Sequence, residues 1–169
     1  LRADVQISET ALHLHRGLGE IPHDGFADPR NVSLGWRAYR ENETAPTDTD
    51  WTALQVENLI PASTIDLTPD TFILEAGFER LNGVDFRKGC YVGQEVTARM
   101  KHKTEFRKGL AKVQITGQAE TGTPISINGK PAGTLLSRAD GTAIAYLRFD
   151  RATGPMQAGA ATVTWNGQK

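Results

Sequence analysis

The tightest constraint on the fold lies in the last sixty residues, where short apolar runs of strand length alternate with tight-turn signals. Gly109 to Ile115, Pro124 to Ile127, Gly133 to Leu136, Thr142 to Phe149 and Ala161 to Trp165 read as strands, with Asn128-Gly129 and Asp140-Gly141 as turns between them. Asn-Gly and Asp-Gly supply the two successive φ > 0 residues that a two-residue hairpin needs. This spacing predicts a small antiparallel β-barrel or sandwich over residues 106–169, with Asn128-Gly129 at a hairpin tip.

The preceding hundred residues follow a different pattern. Val5 and Ile7, then Leu12 and Leu14, alternate with polar residues as half-buried strands do, and Val32 to Tyr39 reads as a further strand. Gly17, Gly19, Pro22, Gly25 and Pro29 mark turns, and Arg40 to Thr49 a polar loop. Thr49 or Asp50 is placed to cap a helix carrying Trp51, Leu54, Val56 and Leu59, which Pro61 stops. Thr71 to Glu75 is a short stretch that positions Glu75, Asn82-Gly83 is a turn, and a second helix is expected from Tyr91 to Lys101. The fold class expected is therefore α+β, with an α+β domain over residues 1–105 and a barrel over 106–169.

A chain of 169 residues buries roughly 70% of its unfolded surface, enough for a core. Its net charge is −1, yet Phe86 to Lys112 carries eight lysines and arginines against Glu95 and Glu105, a local +6 on an otherwise acidic protein. Such a belt steers anionic partners, whether a small molecule, a nucleic acid or an acidic protein face. No transmembrane run or signal-peptide pattern is present, and a single cysteine suits a reducing compartment. His13 and His15 lie two apart on a strand, but no Cys-x-x-Cys or His-Glu-x-x-His spacing accompanies them, so no metal site is expected. Nucleotide-binding glycine loops, a hydrolase serine elbow and RNA-binding signatures are also missing.

Chemistry concentrates in Lys88-Gly89-Cys90-Tyr91-Val92-Gly93-Gln94-Glu95, which holds the only cysteine. Helix N-terminal N–H groups and nearby cations stabilise a thiolate, and here a lysine and a helix start flank the thiol. Gly89 and Gly93 permit φ > 0 or a close backbone approach to a ligand. Cys90 is read as a reactive thiol; the alternative is a small buried hydrophobe.

These eight residues resemble the signature of the YgfZ-type folate-binding proteins, relatives of the glycine-cleavage aminomethyltransferase (T-protein) that are linked to iron–sulfur cluster assembly and repair. Phe72 to Val84, containing Leu74-Glu75-Ala76-Gly77, is similar to another segment of that family. Phe26-Ala27-Asp28-Pro29-Arg30, Leu34-Gly35-Trp36-Arg37 and Val96-Thr97-Ala98-Arg99 are similar to others. The resemblance covers roughly residues 1 to 150. It implies a partial T-protein-like folate-binding domain, an antiparallel sheet with helices, before the barrel. It also implies that this chain lacks an amino-terminal part that full-length members carry.

By the same resemblance, tetrahydrofolate or a derivative is the expected cofactor. Glu75 would hold the pterin, Trp36 would stack on it, and Arg30 and Arg37 would hold the folate carboxylates. Cys90 and Lys88 would form the reactive centre, with Arg99 adding charge, Gly89, Tyr91 and Gly93 shaping the loop, and Gln94 and Glu95 holding it by hydrogen bonds. A bound cluster usually takes four protein ligands, so one cysteine points to transient contact with an iron–sulfur cluster and to ligands shared with a client or carrier protein. The implied function is an accessory protein of iron–sulfur cluster assembly, with indirect effects on tRNA thiomodification. It would work as a monomer in the cytoplasm, or in the mitochondrial matrix of a eukaryote. A folate-dependent one-carbon (aminomethyl) transferase is the alternative, and an RNA- or protein-binding module using the basic belt, with tRNA contact, is a third.

Overall fold

The computed structural model describes residues 4–102 and 106–167. The expected boundary between residues 105 and 106 adjoins a stretch outside the described residues, within which Lys103 and Glu105 of the basic belt lie.

The carboxy-terminal strands are β4 (Lys108–Thr116), β5 (Pro124–Ile127), β6 (Lys130–Ala139), β7 (Thr142–Arg148), β8 (Met156–Ala158) and β9 (Ala161–Thr164). They close into an antiparallel barrel in the order β4-β7-β6-β5-β8-β9. Both expected hairpin turns form. Ile127 pairs with Lys130 across Asn128 (φ 49°) and Gly129 (φ 73°), and Ala139 pairs with Thr142 across Asp140 (φ 47°) and Gly141 (φ 77°). Strand β8 escapes the sequence pattern because three residues are too few to display an alternation.

Alternation along β4 and β7 sorts side chains to the two faces of the barrel wall. Ala111, Val113, Ala143, Ala145 and Leu147 point inward and pack with Ile125, Leu135, Met156 and Val163. Small alanines on facing strands let larger neighbours fill a narrow interior. Gly133 sits where β6 crosses β7 so closely that a Cβ would lie 2.2 Å from the Tyr146 carbonyl oxygen, which no other residue tolerates.

The amino-terminal part contains a three-stranded antiparallel sheet in the order β1 (His13–Gly17), β3 (Trp36–Arg40), β2 (Phe26–Ala27). Two strand expectations are corrected. Val5 and Ile7 belong to no strand and are exposed, having no neighbouring strand among the described residues to supply a hydrogen-bond ladder. Val32–Leu34 is a 3-10 turn, because Asn31 accepts the Ser33 amide at 2.8 Å and Gly35 (φ 65°) reverses the chain before β3. A Cβ on Gly35 would stand 2.1 Å from the Gly17 carbonyl oxygen, so this corner requires glycine on both conformational and steric grounds.

Helix α1 (Trp51–Glu57) is capped by the Asp50 carboxylate, which accepts the Ala53 amide at 2.8 Å. Helix α2 (Gln94–Lys101) starts three residues later than expected, since its cap Gly93 is left-handed (φ 87°). The outward face of the barrel wall receives this first part of the chain. Leu110, Leu136 and Ile144 pack against Val56, Leu59 and Ala76. Polar ties frame the apolar patch: Leu110 N–H donates to the Glu75 carbonyl at 2.9 Å, Ser137 N–H to buried Asp66 at 2.8 Å, and Lys112 pairs with Glu57 at 2.7 Å. The result is the α+β fold with a terminal barrel that the sequence implies.

Ile144 is fully buried at this junction. Ile144→Ala should therefore cost about 2–5 kcal/mol, the range for deleting a large buried aliphatic side chain. Chemical denaturation would measure it, and an unchanged midpoint would mean that the junction adds no stability.

Candidate functional site

The cysteine motif forms an exposed loop leading into α2. Gly89 (φ 92°) and Gly93 (φ 87°) bracket Cys90, Tyr91 and Val92 in left-handed conformations, and the Cys90 thiol is free and exposed. The loop is closed locally. Gln94 Oε1 accepts the Tyr91 amide at 3.2 Å, and Gln94 N–H returns to the Tyr91 carbonyl at 3.4 Å. Lys88 Nζ lies 5.1 Å from the centre of the Tyr91 ring, a cation–π contact that holds its charge over the loop. Glu95 occupies the first turn of α2 and Arg99 the last. Neither side chain makes a hydrogen bond or ion pair among the described residues. No residue of α2 is buried; the helix is moored by Lys101, which pairs with Glu79 and sits 5.0 Å from the centre of the Phe86 ring.

Glu75 lies apart from that loop, in the hydrogen-bonded turns over residues 72–84. Its side chain is only 7% exposed; Tyr146 Oη donates to Oε2, and Lys108 Nζ stands 3.8 Å from the same oxygen. Burial, then the hydrogen bond and charge of Glu75, push the Tyr146 hydroxyl well above its ordinary value, so it stays protonated as the donor. A Cβ at Gly109 would meet the Glu75 carbonyl oxygen at 2.8 Å, so the glycine lets strand and turn touch. Beside this contact lies a cavity of about 290 Å³ whose lining includes Leu59, Leu74, Glu75, Ala76, Lys108 and Leu110. Arg80 also borders it, but its guanidinium is committed to the carbonyls of Asn58 and Leu59.

Arg30 and Arg37 converge on Asp28, whose side chain is 2% exposed. Arg30 reaches it through Nε at 3.0 Å and Nη2 at 2.9 Å, and Arg37 through Nε at 2.6 Å. Burial alone would raise the Asp28 carboxyl, but the hydrogen bonds and charges of the two arginines prevail and hold it below the usual carboxylate range. Trp36 packs edge-on to Gly17, where a Cβ would lie 2.6 Å from its ring, and its indole N–H is buried with no acceptor among the described residues. The ring is half-buried, and Arg40 Cζ stands 5.9 Å from its centroid, so packing against Gly17 and a cation–π contact hold it in place. His15, the buried member of the histidine pair, bonds the Asn42 carbonyl at 2.9 Å through Nε2, and no group of potential metal ligands occurs among the described residues.

The structure thus gathers Lys88, Gly89, Cys90, Tyr91, Gly93 and Gln94 at one loop, and Arg30 and Arg37 at one carboxylate. No hydrogen bond or ion pair joins Glu75 to either group. Sequence reasoning missed Tyr146, Lys108 and Asp28. Asp28 stands in the quoted motif beside Arg30, and its signal was a carboxylate within a run otherwise valued for its arginines.

Asp28→Asn should cost about 2–4 kcal/mol in denaturant unfolding, because it strands two partly buried guanidinium groups. The sign with pH follows from the lowered carboxyl: its contribution is full above the unfolded value near 4 and is lost as pH falls through the lower folded value. The variant should lose that part of the acid-side slope, and an unaltered slope would show that the ion cluster is not the acid-sensitive element.

Comparison with known proteins agrees with this architecture. A family model described as the CAF17 C-terminal beta-barrel domain matches residues 107–168. The mitochondrial iron–sulfur cluster assembly factor IBA57 of Mus musculus is 30% identical over 145 residues, covering 76% of this chain and 40% of the relative. Its Homo sapiens counterpart is 30% identical over 144 residues with the same coverage of each chain. A putative chloroplastic transferase of Arabidopsis thaliana is 32% identical over 130 residues, 74% of this chain and 30% of the relative. The chain spans well under half the length of these relatives. Barrel, motif segments and overall similarity agree: residues 107–168 match the CAF17 C-terminal barrel domain, and most of the chain is similar to the IBA57 assembly factors of the YgfZ/T-protein-like family.

Proposed function

We propose that this chain is the part of an iron–sulfur cluster assembly factor that presents a working thiol, Cys90, to a client or carrier protein. The observation that carries the reading is the exposed Cys90 held between two left-handed glycines, in a chain whose mouse and human relatives are named iron–sulfur cluster assembly factors. An exposed loop shaped by glycines and one local hydrogen-bond pair lets a partner's surface reach the sulfur without unfolding anything. Lys88 and Arg99 lend positive charge to the thiolate that ligates or exchanges. Because a single thiolate supplies one of about four ligands, the cluster is cargo shared with the partner. Effects on tRNA thiomodification would follow indirectly, through iron–sulfur client enzymes. The mouse and human relatives are named as mitochondrial and the Arabidopsis one as chloroplastic, and a reducing compartment of the matrix kind suits this chain equally.

Tetrahydrofolate, or a derivative, is the proposed small-molecule ligand. Glu75 supports it in part: the residue lines the cavity with Ala76 and Leu110, and the Tyr146 hydroxyl and Lys108 meet its carboxylate at Oε2. A pterin amine can be met by the remaining oxygen, whereas a two-oxygen contact requires Tyr146 to yield. Arg30 and Arg37, each with guanidinium nitrogens not bonded to Asp28, remain the candidates for the carboxylates of the glutamate tail. A cavity of about 290 Å³ suits a ring system and not a whole folate, so the tail would lie outside it.

Cys90→Ser should leave the denaturation midpoint within about 0.5 kcal/mol, as expected at an exposed position. In cells lacking the native protein, the full-length carrier of this variant should fail to restore iron–sulfur enzyme activity. Full restoration would make the sulfur dispensable and move the function to the loop backbone and Lys88.

For the ligand, Glu75→Gln should weaken tetrahydrofolate binding by about 1.5–3 kcal/mol in calorimetry, the contribution of a hydrogen bond to a charged group. Tyr146→Phe, which releases the same carboxylate, should bind at least as well as the parent. Equal losses in both variants would make the Glu75–Tyr146 pair purely structural.

A further inference from the structure

The register of the amino-terminal sheet creates a charge imbalance that the Asp28 cluster does not cancel. In the β1–β3 ladder Arg16 stands directly opposite Arg37. Directly opposed residues hold their Cβ atoms about 5 Å apart, and like charges placed so repel. With Arg30 beside them, three guanidinium groups face one carboxylate, that of Asp28.

Arg37 spends Nε on Asp28, and its two terminal nitrogens have no partner among the described residues. The Arg16 side chain makes no hydrogen bond or ion pair among the described residues; its Cζ lies over the Trp51 ring, 4.3 Å from the centroid. That contact holds the guanidinium over the ring while its N–H groups stay uncommitted, the state in which arginine recognises an oxyanion.

Arg16 and Trp51 also wall a cavity of about 430 Å³, together with Leu14, Thr44, Ala45 and Thr47. The Thr47 hydroxyl accepts the Trp51 indole N–H at 3.2 Å, which leaves its own proton to donate. Thr44 gives its hydroxyl proton to the Leu14 carbonyl at 2.7 Å, so the side-chain donors left uncommitted in the lining are the Arg16 guanidinium and the Thr47 hydroxyl.

We propose that the cavity at Arg16 and Trp51, with Arg37 alongside, is a binding site for a small dianionic oxyanion, the phosphate or dicarboxylate end of a ligand. Arg16 would meet it through its fork, Thr47 through its hydroxyl, and Arg37 would add charge across the strand pair. The lowered value of the Arg16 guanidinium, caused by burial and then by the charges of Arg37 and Arg30, agrees with a cationic centre short of anions. The site does not depend on folate being the ligand, and Glu75 plays no part in it.

Free oxyanions test the site directly. Inorganic phosphate and glutarate would be titrated into the 169-residue chain at constant ionic strength set by chloride, with thermal unfolding and calorimetry as readouts. At least one of the two should raise the melting temperature and bind saturably. Arg16→Gln should weaken that binding at least tenfold, and Arg16→Lys, which keeps the charge but not the fork, by less. In chloride alone the circular dichroism spectrum of Arg16→Gln should match the parent's, since the change gives up the Trp51 contact but relieves a repulsion and breaks no side-chain hydrogen bond. Preference for phosphate would assign the site to a phosphorylated ligand, and preference for glutarate to a carboxylate-bearing one. Equal responses of the parent and Arg16→Gln to phosphate, glutarate and chloride would overturn the proposal. So would a parent that responds to neither oxyanion.

Discussion

The docking of the first part of the chain on the outside of the barrel wall is the contact from which the other features take their positions. A barrel strand offers alternate residues to its exterior, and in most small barrels those positions are polar. Here Leu110, Leu136 and Ile144 make the exterior of β4, β6 and β7 apolar, and Val56, Leu59 and Ala76 cover them. Without that cover the barrel would expose a contiguous apolar patch, and α1, only seven residues long, would have no partner to hold it helical. The barrel is therefore a platform, and its own interior core is separate from the surface that organises the site.

Glu75 shows how the platform reaches chemistry. Its backbone carbonyl extends the β4 ladder through Leu110, and its carboxylate takes the Tyr146 hydroxyl from β7. A buried carboxylate would be costly alone; one aromatic hydroxyl and a nearby lysine keep it tolerable at the edge of a cavity. A ligand drawn to this carboxylate would compete with the same two neighbours, which would couple its binding to the barrel junction.

The cysteine loop follows the opposite principle. Packing does little there, since α2 buries none of its residues, and the shape comes from two left-handed glycines, the Tyr91–Gln94 pair and the Lys88–Tyr91 contact. Local structure with few buried contacts opens at low free-energy cost. That is suited to a thiol that must meet a protein-borne cargo and less suited to one enclosed with a small substrate.

The sequence by itself determined the features that depend on neighbours along the chain. Both barrel hairpins, the Asp50 cap of α1, the exposed loop with its single cysteine, and the motif segments that mark the family are all local. Turn geometry, capping and chain stiffness act over two to four residues, so they are legible in one dimension. The tertiary structure decided what depends on register and distant contact. It made Val5 and Ile7 exposed, put Tyr146 on Glu75 across 71 residues, turned Trp36 toward Gly17, and set Arg16 against Arg37. Each of those outcomes follows from which strand pairs with which, and in what register. A shift of one residue in the β1–β3 ladder would have moved Arg16 to the other face, and nothing in the local sequence specifies that choice.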